Sequence, residues 1–168
     1  MSLSMYEASI PVFTRMLGNL SAILEKAAAH AEAQGIDPGV FISARLAPDM
    51  FPLARQVQIA TDSAKGCAAR LAQVEVPSFA DTEASFPELQ ERIARTLGLI
   101  REIRPEQLEG SAARTVVLKM RGNEISFTGQ DFLLNFSLPN FYFHLTTAYN
   151  ILRHNGVKIG KMDFLGGI

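Results

Sequence analysis

Residues 139–156 constrain the fold more than any other stretch. They read Pro-Asn-Phe-Tyr-Phe-His-Leu-Thr-Thr-Ala-Tyr-Asn-Ile-Leu-Arg-His-Asn-Gly. Phe141, Leu145, Ala148 and Leu152 recur at helical intervals, so the spacing predicts one amphipathic helix with an apolar stripe. Pro139 suits a first turn, where its missing N–H does no harm, and Asn155-Gly156 supplies a left-handed stop. Beside the stripe runs a second line of residues, Asn140, His144, Thr147 and Ile151. Three hydrogen-bonding side chains flanking a core face need partners or a cavity, and the rest of the chain has to provide them.

Three more helical stripes precede this one. The first helix is expected over 5–34, with Ser4 and Glu7 at capping-box spacing and Gly35 as its end. Pro11 calls for a kink or a late start. The second is expected over 50–73, with Asp49 as N-cap and Gln56 at the edge of its buried face. Its many Ala and Thr residues let a neighbouring helix approach closely. The connection at 36–48 carries Val40, Phe41, Ile42 and Leu46 and is expected to pack across the bundle end, with a short helical turn after Pro38. Pro77 and several acids make 74–84 read as an exposed linker. The third helix, 86–103, opens on a Ser85-Phe-Pro-Glu88 capping box. Glu88/Arg92 and Glu91/Arg95 stand at i,i+4, which reads as a solvated face.

The period then changes. Residues 115–120 are β-branched and extended, Arg121-Gly-Asn-Glu124 is turn-like, and 125–128 can return as a second strand. A small hairpin between the third and fourth helices follows. An isolated hairpin is marginal, so it is expected to pack on the bundle. Phe164 and Leu165 mark the tail as a docking segment.

The 168 residues suffice for a single domain over 1–168 with a substantial core. A formal net charge of −1 gives no basic field for nucleic acid or for an anionic membrane. No apolar run approaches the roughly 20 residues of a membrane span. The one cysteine, Cys67, excludes an internal disulfide and a cysteine-cluster metal site, and reads as a small buried residue. The N-terminus lacks a signal-peptide pattern, so the chain reads as cytoplasmic. There is no phosphate-binding Gly-rich loop, nucleophile elbow, His-Glu-x-x-His or Cys-x-x-Cys.

Two phrases, Asp49-Met-Phe-Pro-Leu-Ala-Arg-Gln-Val-Gln-Ile-Ala60 and Leu138-Pro-Asn-Phe-Tyr-Phe-His-Leu-Thr-Thr-Ala-Tyr-Asn-Ile-Leu-Arg-His-Asn-Gly-Val157, resemble a bacterial domain-of-unknown-function family. That family is similar to the DinB/YfiT-like metalloenzyme superfamily. The resemblance implies a mainly α fold, a DinB-like four-helix bundle of up-down-down-up topology. It also implies a site. Metal-binding relatives carry one histidine on the second helix and a His-x-x-x-His pair on the fourth, holding nickel or zinc. Anchoring on Leu152-Arg153 and Gly156 puts His144 at the second position of the pair, Asn140 at the first, and Gln56 opposite. Neutral amides are weak ligands for these metals, so the resemblance points to a pocket whose chemistry has changed.

The functional expectation is a small polar ligand bound between the second and fourth helices by Gln56, Asn140, His144, Thr147 and Asp49. His144 is the candidate general base, and the one candidate ligand for a divalent metal. One alternative is a non-catalytic structural or interaction protein in which Gln56, Asn140 and His144 form a core hydrogen-bond network. Another is a divalent-metal-dependent hydrolase or thiol transferase. Tyr142, Phe143 and Tyr149 give the fourth helix more aromatic surface than one stripe buries, which points to a homodimer.

Overall fold

Pro11 decides where the first long helix begins. Having no N–H to donate, it fits only a first turn, and α1 runs Ile10–Gln34 with Pro11 in that turn. The computed structural model describes residues 3–120 and 122–167. Residues 5–9, expected inside the helix, form turns instead. Ser4 and Glu7 still cap one another: the Glu7 N–H donates to Ser4 Oγ at 3.1 Å, and the Ser4 N–H to the Glu7 carboxylate at 3.0 Å. Gly35, at φ +63°, closes α1.

Asp37 caps the short α2, Pro38–Ile42, by accepting from the Gly39 N–H at 2.8 Å. The start of α3, Leu53–Ala72, corrects an expectation. Asp49 lies exposed in the connection, and Pro52 occupies the cap position. Proline drives the residue before it out of helical backbone, so Phe51-Pro52 delays the helix to Leu53. The next long helix, α4, spans Phe86–Arg101 and opens on the expected Ser85–Glu88 box.

Two 3₁₀ turns, Pro105–Leu108 and Ser111–Ala113, lead into β1, Thr115–Met120, which pairs antiparallel with β2, Asn123–Thr128. Val116 and Leu118 turn into the core. Arg121 of the expected turn lies outside the described residues. A continuous helical run follows: α5 (Gly129–Asp131), a π-helical stretch Phe132–Ser137, and α6 (Leu138–His154). Pro139 accounts for the wide turns ahead of it. Its ring crowds the carbonyl four residues back, and a local π geometry relieves that clash. Finally α7, Lys161–Leu165, docks on α1, where Asn19 Nδ2 donates to the Phe164 carbonyl at 2.9 Å.

α1 packs on α4, α4 on α3, and α3 on α6. Phe13, Leu17, Leu24, Leu53, Leu71, Leu89, Ile93 and Phe141 form the fully buried centre. Ala60, Thr61, Ala64 and Ala68 on α3 keep its buried face low enough for close helix packing. Among the described residues no helix is long and apolar enough to cross a membrane.

One expectation around α4 fails: Arg92 is not on a solvated face. Segment 74–84 is exposed or half-buried throughout, as expected of a linker, but it is tied to the bundle. Arg92 is 3% exposed. Its Nε donates to Thr61 Oγ1 at 2.8 Å, Nη1 to the Ala80 carbonyl at 3.0 Å and Glu83 at 2.9 Å, and Nη2 to Asp62 at 2.8 Å, with Asp81 at 3.0 Å. Phe79 offers its ring to three cations, with Arg95 at 4.0 Å, Lys65 at 4.8 Å and Arg92 at 5.4 Å from its centroid. Glu88 serves the Ser85 cap instead of pairing with Arg92. The physical reason is position. Arg92 follows Leu89 by three residues and precedes Thr96 by four, so it stands on the buried stripe. A guanidinium there must be met by charge, and the acids of the connection fold back to meet it.

Candidate functional site between α3 and α6

Gln56 is 1% exposed and His144 8% exposed, and the two face each other across the α3–α6 contact. Gln56 Nε2 donates to the Phe51 carbonyl at 2.9 Å, which orients the amide and turns Oε1 toward His144 Nδ1 at 2.7 Å. An amide oxygen only accepts, so Nδ1 carries the hydrogen and Nε2 keeps its lone pair. Burial, with the Arg55 charge nearby, holds the His144 pKa below its ordinary value. The ring is a neutral imidazole whose proton position is fixed by the protein. Phe143 meets it edge-on at 5.1 Å between ring centres.

Asn140 does not join this pair. Its Nδ2 donates to Ser63 Oγ at 2.7 Å, two turns along α3 from Gln56. The helices run in opposite directions: Gln56 meets His144, and the later Ser63 meets the earlier Asn140. Residues four apart on one helix, about 6 Å along its axis, therefore meet partners progressively displaced on the other. Thr147 is buried, but its hydroxyl bonds back to the Phe143 carbonyl at 2.7 Å. Asp49 stays at the surface before α3. Of the five expected site residues, then, one pair meets directly, Asn140 turns to a different neighbour, Thr147 is satisfied within its own helix, and Asp49 stands apart.

Asn140 lines a cavity of about 270 Å³ bounded by α3, β1 and the π-to-α run. Ser63, Cys67, Arg70 and Asp62 come from α3, Ser137 and Asn140 from the far side, and Leu118, Lys119 and Met120 from the hairpin. Ile59, Phe132 and Phe136 complete an apolar wall. The π stretch brings Phe132, Phe136 and Ser137 to this side. The Cys67 thiol contacts Ser137, and burial pushes its pKa up to about 12, so it is a protonated wall group and no nucleophile. Sequence reasoning missed Ser63, Arg70 and Ser137. The available signal was Gly66, a glycine inside a long helix one turn before Arg70.

The metal implied by the resemblance does not fit these residues. Gln56 is held at both ends of its amide, Asn140 is tied to Ser63, and only the His144 Nε2 lone pair remains as a good nitrogen donor. Among the described residues no group of three or more His, Cys, Asp or Glu side chains is placed to hold a metal ion. One imidazole with amides is a poor nickel or zinc site.

The fold is similar to that of a crystal structure described as a DinB family member protein from Shewanella denitrificans. The two chains are 42% identical, with a TM-score of 0.92 over 97% of this chain and 92% of that one. No curated protein matches the sequence. A family model described as a domain of unknown function, DUF1993, matches residues 5–165. With nearly its whole length inside that match, the chain belongs to the DUF1993 family and is a DinB-like domain of unknown function.

Proposed function

We propose that this chain is a single DinB-like domain that binds a small polar molecule in the cavity between α3, β1 and the start of α6. The composition of the cavity wall carries this reading. Ser63, Arg70, Ser137 and Asn140 line one space of about 270 Å³ whose apolar lining includes Ile59, Leu118, Phe132 and Phe136. A few convergent polar groups set in an apolar concavity are what small-molecule sites look like. The Gln56–His144 pair, one end of the same helix contact, fixes the register that keeps Ser63 opposite Asn140.

The proposal takes the long helices as an up-down-down-up bundle. Three sets of neighbours support that topology. Gln56–His144 and Ser63–Asn140 make α3 and α6 antiparallel. Thr61 meets Arg92 while Lys65, Ala68 and Ala69 share a cleft with Leu99, Ile100 and Ile103, which makes α3 and α4 parallel. Phe13 meets Phe141 at one end and His30 lies beside Gly156 at the other, which makes α1 and α6 parallel.

Native mass spectrometry of freshly purified protein tests the binding role. A retained small molecule is expected on the wild type and should be absent from Ser63→Phe, which fills the cavity. Retention undiminished in that variant would overturn the assignment to this cavity.

A second reading, a homodimer, has its own observation. Tyr142 packs on Phe141 and Tyr149 on Phe164, so the aromatic excess of α6 is mostly covered. Phe143 stays 55% exposed and Phe51, at the start of α3, 54% exposed. Sedimentation equilibrium at high micromolar concentration tests it; a monomer there counts against pairing.

A further inference from the structure

The polar side of the cavity is dominated by one cation. Arg70 sits in the last turn of α3, and its guanidinium folds back along its own helix, where Nη1 donates to the Gly66 carbonyl at 3.0 Å. Gly66 makes that fold possible. A Cβ on residue 66 would lie 2.6 Å from Arg70 Nη1. Glycine inside a helix is destabilising relative to alanine, so the position carries a local penalty that makes room for a guanidinium. Among the described residues no acidic side chain pairs with Arg70.

The other charges on the wall do not answer it. Asp62 is engaged by Arg92 and by Lys65, each at 2.8 Å. Lys119 is a second cation, 3.4 Å from Glu124 across the hairpin. Ser63 and Asn140 are neutral and bonded to each other. Arg70 is partly desolvated, with its pKa drawn below the usual value by burial. A half-buried guanidinium with free N–H groups beside a cavity calls for an anion. Phe132, Phe136, Leu118 and Met120, from the elements facing α3, call for an apolar body.

Resting on the cavity reading above, we propose that the ligand is a small carboxylic acid whose carboxylate docks on Arg70 and whose apolar body lies against Phe132, Phe136 and Leu118. One guanidinium fork matches one carboxylate, and the apolar wall disfavours a fully hydrated oxyanion such as inorganic phosphate.

Isothermal titration calorimetry with benzoate, its neutral isostere benzamide, and inorganic phosphate tests this. Benzoate is expected to bind the wild type at least tenfold more tightly than benzamide or phosphate. Arg70→Gln should lose at least tenfold in benzoate affinity and leave benzamide unchanged, and Arg70→Lys, which keeps the charge without the fork, should fall between. Circular dichroism melts confirm that both variants fold; among the described residues the only side-chain hydrogen bond Arg70 makes is within its own helix, so both should. Equal binding of benzoate and benzamide, or full benzoate affinity in Arg70→Gln, would overturn the carboxylate assignment and leave the cavity reading standing. Tighter binding of phosphate than benzoate, or no binding of benzoate at millimolar concentration, would overturn it as well. Loss of the retained molecule in Ser63→Phe decides the cavity reading separately.

Discussion

His144 Nδ1 lies 2.7 Å from Gln56 Oε1, and that contact sets the proton on the imidazole. Gln56 is held in turn by the Phe51 carbonyl. Replacing Gln56 with leucine leaves the His144 Nδ1–H, on a buried ring, without a partner and removes the side-chain donor to the Phe51 carbonyl. Urea denaturation should show a loss of about 1–3 kcal/mol, the usual penalty for unsatisfied buried polar groups. An unchanged midpoint would mean the pair contributes nothing to the fold.

The same histidine gives a pH dependence with a definite sign. Burial, then the Arg55 charge, depresses its folded pKa below the ordinary value. The unfolded chain therefore takes up a proton more readily than the folded one. The stability His144 contributes is complete above about pH 6.5 and is lost as pH falls through the folded pKa. The stability difference between the wild type and His144→Gln should shrink on going from neutral to mildly acid pH. A difference that is flat with pH, or grows on acidification, contradicts the assignment.

Arg92 joins α4, α3 and the 74–84 connection. Arg92→Ala takes the guanidinium from Asp62, Asp81 and Glu83, and the loss should be about 3 kcal/mol, the low end for a broken buried pair, because those acids keep Lys65, Arg55 and Gln58 as partners and Asp62 and Asp81 keep access to water. Hydrogen exchange should also rise at Phe79–Glu83 ahead of the rest of the chain. Uniform exchange across the molecule would show that the connection is held by something else.

Gly129 approaches the 3₁₀ turn at Ser111 so closely that a Cβ would lie 1.9 Å from the Ser111 carbonyl oxygen. Backbone cannot move aside as a flexible side chain can, so Gly129→Ala should destabilise by at least about 2 kcal/mol. Ser111→Ala should be neutral or stabilising, because Ser111 Oγ is the one fully buried side-chain polar atom without a partner among the described residues. Thermal melts of the two variants should move apart; a shift in the same direction would contradict this.

Cys67 should resist alkylation at mildly basic pH until the protein unfolds, since burial keeps its thiol protonated. Rapid stoichiometric labelling of native protein would show that the cavity admits reagents to the sulfur and that the thiol is not sealed as described.

The four long helices were legible because their apolar residues repeat at helical spacing, and the hairpin because 115–120 breaks that period. The π stretch was not, since over six residues its pattern cannot be told from that of an α-helix. The Arg92 cluster escaped because i,i+4 spacing to Glu88 offered a local explanation, although the place of Arg92 on the Leu89–Thr96 stripe argued for burial. The Gln56–His144 facing pair came from a family resemblance that set the two opposite each other; periodicity on one helix says nothing about its neighbour. Asn140 and His144 both meet α3, at Ser63 and Gln56. The pairing of Asn140 with Ser63 follows only once α3 and α6 are known to be antiparallel.

The most direct measurement on the central claim is residue-resolved amide NMR of the wild type titrated with benzoate. The account predicts saturable shifts concentrated on Ser63, Cys67, Arg70, Leu118, Ser137 and Asn140, with Gln56 and His144 little changed. Shifts centred on Phe51, Gln56 and His144, or none that saturate, would contradict the cavity between α3, β1 and the start of α6 as the binding site.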